Sequence, residues 1–411
     1  MFNECSDSHL LSFFGAGVSK PSNLPLASEI DIFRDDLIWN GAIGRYGPPR
    51  GVRKDGYSRR QADQVRDFLR VVENKTQNYF DEQAQEQDVV PREVNYEDIY
   101  FLCERMQEHE RGRSRDPALE HFAESIRDET SEYLLRDPRD ERGPGHPFRR
   151  QKTKLEYTGE LGNRLILSVV REELDKNVDI EGFRALLSAI QSGEKDKIDI
   201  VTLNNDVIIE GLLRENNIEF ESGFKRYKEN LKVYYPSRIF TEDIKVRMIK
   251  PHGSISWYLS GDENVGESSG SGSGAVYVSV DPPESSDPYP TGVADKYDIV
   301  TSLPSLLSSY GKEREYGKNI YGDMTTALQL SVRSADSIVV SGYGWSDNGM
   351  NDRLLATLNR DKIDQLTLLR DVSNSEHVPT TVRYLLEEDR ATVVDDWLCN
   401  VTWDELQKRI A

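Results

Sequence analysis

FFGAGVSKPSNLP, residues 13–25, closes an apolar run, Leu10–Phe14, with two glycines that flank one alanine. A short continuous apolar run suits a strand of a parallel sheet covered on both faces. Gly15 and Gly17 then stand where a strand hands over to a helical pattern that starts near Pro25. Glycine adopts positive φ and lets another group approach the backbone. Peptide N–H groups near a helix N-terminus would favour a pyrophosphate. The pattern is not G-x-G-x-x-G, because the third glycine and the acidic residue of a second strand are missing. A plain strand-to-helix turn fits equally well, so the turn needs company before it means anything.

That company lies far along the chain. Ile198–Thr202, Val246–Lys250, Ile338–Val340 and Leu366–Leu369 are further short apolar runs. Helical patterns separate them: YTGELGNRLILSVVREEL and IEGFRALLSAI before Ile198, NIYGDMTTALQLSVRSA before Ile338, and NDRLLATLNRDKI before Leu366. In the third of these, Ile320, Met324, Ala327 and Leu328 fall on one helical face. Strands alternating with helices predict an α/β protein with a doubly wound, mostly parallel, Rossmann-like sheet.

Residues 41–155 break the rhythm. They begin rich in Gly, Pro and Arg and become strongly charged and helical in pattern (RQADQVRDFLRVVENKTQNYFDEQ, PALEHFAESIRDETSEYLL), with no clear strand. They read as a mainly helical insertion or subdomain, and residues 1–40 plus 156–411 as the sheet domain. Residues 261–274, GDENVGESSGSGSG, have the composition of a flexible loop. AVYVSV after them alternates like an exposed or edge strand. In TWDELQKRI, Thr402 and Glu405 are spaced as a capping box.

Composition narrows the functional classes. The chain has 411 residues, 37% hydrophobic and 30% charged, with a formal charge of −20. Such a field repels nucleic-acid phosphates and anionic membranes, so neither is expected as a direct partner. Residues 45–60, RYGPPRGVRKDGYSRR, form a basic patch that reads as a solvated loop. Apolar runs fall short of the ~20 residues that cross a bilayer. The first residues lack the basic start of a signal peptide. Cys5, Cys103 and Cys399 are scattered without a C-x-x-C pair, which argues for reduced thiols in a cytoplasmic protein and against a cysteine-built zinc site.

Three further segments place polar residues at strand ends, where open α/β sheets bind ligands. TLNND ends the run at Ile198. A helix cap would need one of Asn204, Asn205 and Asp206, and three are present. IKPHGSISWY ends the run at Val246. It carries His252, a side chain whose ordinary pKa suits a general base, beside Gly253. IVVSGYGWSDNGMNDRLL brings Gly342, Tyr343 and Gly344, and Ser346 with Asp347 can cap the helix that follows. Two glycine-bearing crossings in one sheet would fit a ligand with two ends, such as a dinucleotide.

Taken in order, GAGVS with LP close behind, TLNND, PHGS and GYGWSD resemble the sirtuin-like family. Sirtuins carry a GAG-[IV]-S turn, a T-x-N-x-D segment and an H-G motif in this order, and SGYGWSD is similar to the GY-S-x-S-D of bacterial sirtuin-like proteins. The resemblance covers Leu10 to about Ile30 and Lys197 to about Leu369. It implies a Rossmann-like domain that binds NAD+. Gly15, Ala16, Gly17 and Ser19 would line the phosphate turn, with Pro25 in the cofactor loop. Asn204 and His252 match the catalytic asparagine and histidine. Asp206 matches the acid that holds the nicotinamide carboxamide, and Gly342 and Tyr343 fall where the adenosine half is contacted.

The departures point within the family. Leu26, Ala27 and Ser28 follow Pro25 in place of an acidic-aromatic-arginine run, the four zinc cysteines are absent, and Asn205 replaces an apolar residue. They fit the bacterial sirtuin-like NAD+ hydrolases of antiviral defence better than protein deacylases. The resemblance further implies no zinc, a homo-oligomer and a HerA-type hexameric ATPase as partner. The alternatives are an NAD-dependent protein deacylase and a non-catalytic module that binds NAD or ADP-ribose.

Overall fold

The structure is a computed structural model that describes residues 8–33, 59–114, 116–137, 151–174, 183–228, 231–260, 276–280, 305–307, 312–355, 365–369 and 378–410. Its strands, among these residues, are β1 (His9–Phe14), β2 (Lys197–Thr202), β3 (Phe224–Lys228), β4 (Leu231–Tyr234), β5 (Val246–Ile249), β6 (Trp257–Ser260), β7 (Val276–Val280), β8 (Ser337–Ser341), β9 (Gln365–Leu369) and β10 (Ala391–Val394). The chain forms two compact units, residues 1–26, 174–307 and 312–411 in one, and residues 27–173 and 308–311 in the other.

Six of the strands form a wholly parallel sheet in the order β10-β9-β8-β1-β2-β5. Numbered among themselves in chain order they run 3-2-1-4-5-6, the order of the Rossmann fold. The direction of winding reverses between β1 and β8, which is where such sheets open a crevice. The five apolar runs of the sequence are five of these strands; the sixth, the half-buried edge strand β10, is not among them. Each of the five is covered on both sides, as their lack of alternation requires.

One face carries Leu11, Phe13, Val201, Ile249, Ile338, Val340, Leu366 and Leu368, packed under the helix Asn319–Ser334 and its neighbours Asn348–Leu355 and Thr380–Glu387. The helical stripe Ile320, Met324, Ala327 and Leu328 is fully buried there. The other face carries Leu10, Phe14, Ile198, Ile200, Val246 and Met248 under the helices Arg184–Ser192, Ile208–Glu215 and Trp403–Ile410. Each such aliphatic side chain contributes about 1.5–3 kcal/mol by leaving water. The last helix starts at the expected capping box, with Thr402 N–H donating to Glu405 Oε2 at 2.8 Å and Glu405 N–H to Thr402 Oγ1 at 3.3 Å.

The first face also holds a charged layer away from the strand carboxyl ends. His9 Nε2 lies 3.0 Å from Asp199 Oδ2, Arg247 Nε lies 3.6 Å from Asp199 Oδ1, and Ser334 Oγ meets His9 Nδ1 at 3.0 Å. Asp199 is fully buried. Burial raises its carboxyl pKa, but the His9 hydrogen bond and the Arg247 charge outweigh this and hold it below its ordinary 3.8.

Two sequence expectations are corrected in this unit. AVYVSV is not an edge strand. β7 is the inner strand of a four-stranded antiparallel sheet, β3-β4-β7-β6, with Val278 fully buried. Its alternation reflects two unlike covered faces, not one face in water. No α-helix begins near Pro25 among the described residues, which here run to 33. A 3-10 helix, Ala16–Ser22, follows the first glycine directly and ends at Asn23 in the left-handed region (φ 61°). Among the described residues the element after Pro25 is a 3-10 turn, Ala27–Glu29. Pro21 falls inside the first of these helices, where it removes one backbone donor.

The second unit is helical among its described residues: Arg59–Gln87, Tyr96–Glu110, Pro117–Glu129 and Lys154–Leu174 up to Glu173. It takes in more of the chain than residues 41–155, because Lys154–Leu174 packs here. A Cβ on Gly162 would meet Leu69 Cδ2 at 2.8 Å, and one on Gly159 would lie 3.5 Å from the Cys103 carbonyl, so small residues let these helices approach. Asn95 caps the second helix in a full capping box with Asp98. The loop 261–274 and most of the basic patch 45–60 lie outside the described residues.

Candidate functional site

The pairing register aligns the predicted motifs. Phe14 pairs with Thr202 on one side and Ser341 on the other, so the glycine turns and TLNND leave the sheet at one level. Val201 pairs with Ile249, and Asn204 and His252 each follow three residues later. All four motifs therefore share one carboxyl edge, astride the switch point between β1 and β8.

The two glycine turns meet backbone to backbone. Gly15 N–H donates to the Ser341 carbonyl at 3.0 Å, Gly17 N–H to the Gly342 carbonyl at 2.9 Å, and Val18 N–H to the Gly15 carbonyl at 3.1 Å. Gly342 has φ 64°, and a Cβ there would stand 2.1 Å from Val18 N. A Cβ on Gly15 would stand 2.5 Å from the Gly342 carbonyl oxygen. What a side chain would block is thus the other turn. The N–H groups of Gly15, Gly17 and Val18 are engaged within the protein. Ala16 is exposed, and Pro25 is half-buried in the loop after Asn23.

Ser19 reaches across to TLNND. Asn204 Nδ2 donates to Ser19 Oγ at 2.8 Å, and Ser19 Oγ donates to Asp206 Oδ2 at 3.0 Å. A hydroxyl that gives its hydrogen to a carboxylate must accept from the amide, which fixes the amide's orientation. Asn204 Oδ1 then points away from Ser19. It is buried, in a residue 8% exposed, and finds no partner among the described residues. A buried acceptor in that condition calls for a donor from a ligand or water. Asp206 Oδ1 accepts from Ile208 N–H at 3.1 Å, so this residue serves the helix start as well. Burial raises the Asp206 pKa, against the lowering pull of Lys250.

Lys250 lies behind this loop. Its Nζ donates to the Asp206 carbonyl, to Glu210 Oε1 at 2.9 Å and to Ser254 Oγ at 3.3 Å. The Asn205 carbonyl accepts from Ile255 N–H at 2.9 Å, tying the asparagine loop to the histidine loop. Gly253, at φ 86°, lets its backbone pass Ser305, whose carbonyl oxygen would be 2.2 Å from a Cβ.

His252, 5% exposed, turns Nε2 toward Tyr316 Oη at 2.8 Å and Asp347 Oδ2 at 3.2 Å. Tyr316 donates to the same Asp347 oxygen at 2.6 Å, while Asp347 Oδ1 accepts from Met350 N–H at 2.9 Å as the expected helix cap. Tyr343 is built into the wall. It packs edge-on against Phe13, with centroids 5.0 Å apart, and donates to Asn351 Oδ1 at 2.7 Å. Trp345 sits at φ 59°, costly for a bulky residue by about 1–3 kcal/mol, and is held through its carbonyl by Asn351 Nδ2 at 2.8 Å.

Of the predicted residues, Ser19, Asn204 and Asp206 form one hydrogen-bonded group, Gly15, Gly17 and Gly342 another, and His252 and Tyr343 stand among Tyr316, Asp347 and Asn351. Lys250 and Tyr316 escape sequence reasoning. Lys250 reads there as a strand end, and Tyr316 lies in a charged stretch outside every motif. Fold and strand-end cluster define a Rossmann-like α/β protein with a polar candidate site at its switch point. The chain matches no protein-family model and no curated protein sequence.

Proposed function

We propose that the chain is a sirtuin-like NAD+ hydrolase. The reaction adds water across the nicotinamide–ribose bond, giving nicotinamide, ADP-ribose and a proton. Asn204 presents Oδ1 to a ribose hydroxyl or to the attacking water. Asp206 binds the nicotinamide carboxamide through a carboxylate oxygen that accepts from its NH2. His252 takes the proton that the hydroxyl or water releases. The rest of the dinucleotide lies along the carboxyl edge beside the two packed glycine turns, whose own N–H groups stay engaged within the protein. The observation that carries the reading is the unmatched, buried Asn204 Oδ1 at the carboxyl edge that also bears the glycine turns and His252.

By the same resemblance the reading extends to a cytoplasmic antiphage effector that depletes NAD+ as a homo-oligomer with a HerA-type ATPase. The test is to incubate the purified chain with NAD+, with and without an acetylated peptide and a HerA-type ATPase, and to identify products by mass spectrometry. Nicotinamide and ADP-ribose formed without peptide support the hydrolase. Nicotinamide release that strictly needs the peptide replaces it with a deacylase. Tight nucleotide binding with no turnover in any mixture replaces it with a binding module.

A further inference from the structure

Asp206 meets its two neighbours with different oxygens. Oδ1 accepts from the Ile208 backbone N–H at 3.1 Å, and a backbone donor cannot be reversed. A proton on this carboxyl would therefore sit on Oδ2, the oxygen 3.0 Å from Ser19 Oγ. Ser19 has one hydrogen to give, and its Oγ also lies 2.8 Å from the Asn204 amide. With Asp206 ionised, Ser19 donates to Oδ2 and accepts from Asn204 Nδ2. This is the arrangement of the structure, and it leaves Asn204 Oδ1 open. With Oδ2 protonated, the acid donates to Ser19 and Ser19 donates onward. The Asn204 amide must then turn its oxygen to Ser19 and its NH2 outward. The two arrangements differ in heavy atoms only by the exchange of Asn204 Oδ1 and Nδ2.

The link is insulated and held. Ser19, Asn204 and Asp206 are all buried. Ser19 is fixed in the 3-10 helix Ala16–Ser22, and its carbonyl accepts from Leu24 N–H at 3.3 Å. The charged groups that act on Asp206 are Lys250, at the end of β5, and Glu210, on the helix Ile208–Glu215. Burial outweighs the pull of Lys250 and raises the Asp206 pKa above its ordinary 3.8, which brings the acid form nearer to neutral pH.

We propose that Ser19 is a positioning residue that couples the Asn204 amide to the protonation state of Asp206. The carboxylate turns an acceptor to the ligand, as a ribose hydroxyl or the attacking water needs. The acid turns an NH2 there, which cannot accept their hydrogen. The catalytic meaning rests on the hydrolase reading, but the orientation is a property of the folded chain alone.

Neutron diffraction from crystals of the full chain grown in heavy water tests this, because deuterium distinguishes the amide nitrogen from its oxygen and shows where the hydroxyl points. In the wild type at mildly alkaline pH, the Ser19 deuterium is expected toward Asp206 Oδ2 and the Asn204 ND2 group toward Ser19. In Asp206→Asn the new amide keeps its carbonyl on Ile208 N–H, so its own ND2 faces Ser19 and the Asn204 ND2 group is expected to turn away. That variant also loses a ligand contact, so its map and not its rate is the readout. Ser19→Ala is expected to lower kcat for NAD+ cleavage about tenfold with KM little changed. In an Asn204→Ala chain it should lower kcat no further, whereas a merely structural loss would add in both. A wild-type Ser19 deuterium pointing at Asn204, or an unturned Asn204 amide in Asp206→Asn, would overturn the coupling. Unaltered kcat in Ser19→Ala, or an equal loss with and without Asn204, would overturn the positioning role in catalysis. A wild-type chain that cleaves no NAD+ overturns the hydrolase reading instead, while the maps still decide the orientation. Should either variant fail to fold, the wild-type map decides alone.

Discussion

Gly17 donates its backbone N–H to the Gly342 carbonyl across 2.9 Å, and that bond joins the first strand crossing of the sheet to one near the end of the chain. The two backbones approach too closely for side chains, since a Cβ on Gly17 would lie 2.9 Å from Gly342 Cα and one on Gly342 would lie 2.1 Å from Val18 N.

Gly342→Ala should be badly tolerated. The residue is left-handed, a penalty of about 1–2 kcal/mol for an L side chain, and its Cβ would meet Val18 N at 2.1 Å. A loss of at least ~2 kcal/mol in denaturant unfolding is expected. Gly344→Ala is the control, because nothing lies within 4 Å of the added atom.

Asn204→Ala and His252→Ala should separate activity from stability. Each should lower NAD+ cleavage by ~10² or more. Asn204 already lacks a partner for Oδ1, so its removal should change unfolding free energy by no more than about 1 kcal/mol. Wild-type turnover in either variant removes that residue from the mechanism.

Lys250→Met leaves Glu210 buried without its cation. The two side chains are 3% and 9% exposed, and losing one partner of such a pair costs about 3–5 kcal/mol. The double variant Lys250→Met/Glu210→Gln should recover part of this. A double-mutant cycle by chemical unfolding measures the coupling, and additive losses would mean that the pair does not act as one.

Acid should weaken the charged layer beneath β1, β2 and β5. A carboxyl whose folded pKa is depressed adds stability above its unfolded value, and this is lost as pH falls through the folded one. For Asp199 the loss begins below its ordinary 3.8. Asp199→Asn should therefore lose less stability than the wild type between pH 5 and pH 3, as read by urea unfolding at each pH. An equal loss in both chains would place the acid sensitivity elsewhere.

The parallel sheet was legible because Leu10–Phe14, Ile198–Thr202 and Ile338–Val340 are buried on both faces, and such strands show as unbroken apolar runs. The helix Asn319–Ser334 was legible because its buried stripe keeps a 3.6-residue period. The antiparallel sheet was not. β3 reads FKRYK and β4 reads LKVY, so lysine and arginine hide the apolar side that carries Leu231 and Val233. Within the site, strand-end polar residues marked Asn204, Asp206 and His252. Tyr316 could not be found that way, since its role comes from being folded beside His252, 64 positions away. The packing of Gly342 was not legible either, because a turn that fits a ligand and a turn that fits another turn are spelled alike.

The place of β1 in the middle of the sheet bears on when the protein becomes whole during translation. His9 at its start is bonded to Asp336, 327 positions later. A ribosome adding ~5–20 residues per second needs on the order of 15–65 s to cover that distance. Until then the growing chain has no β8 to dock, no glycine partner for Gly17 and no carboxylate for His252. Newly made chains thus lack a finished sheet for most of their synthesis, and truncated products ending before that point never complete it.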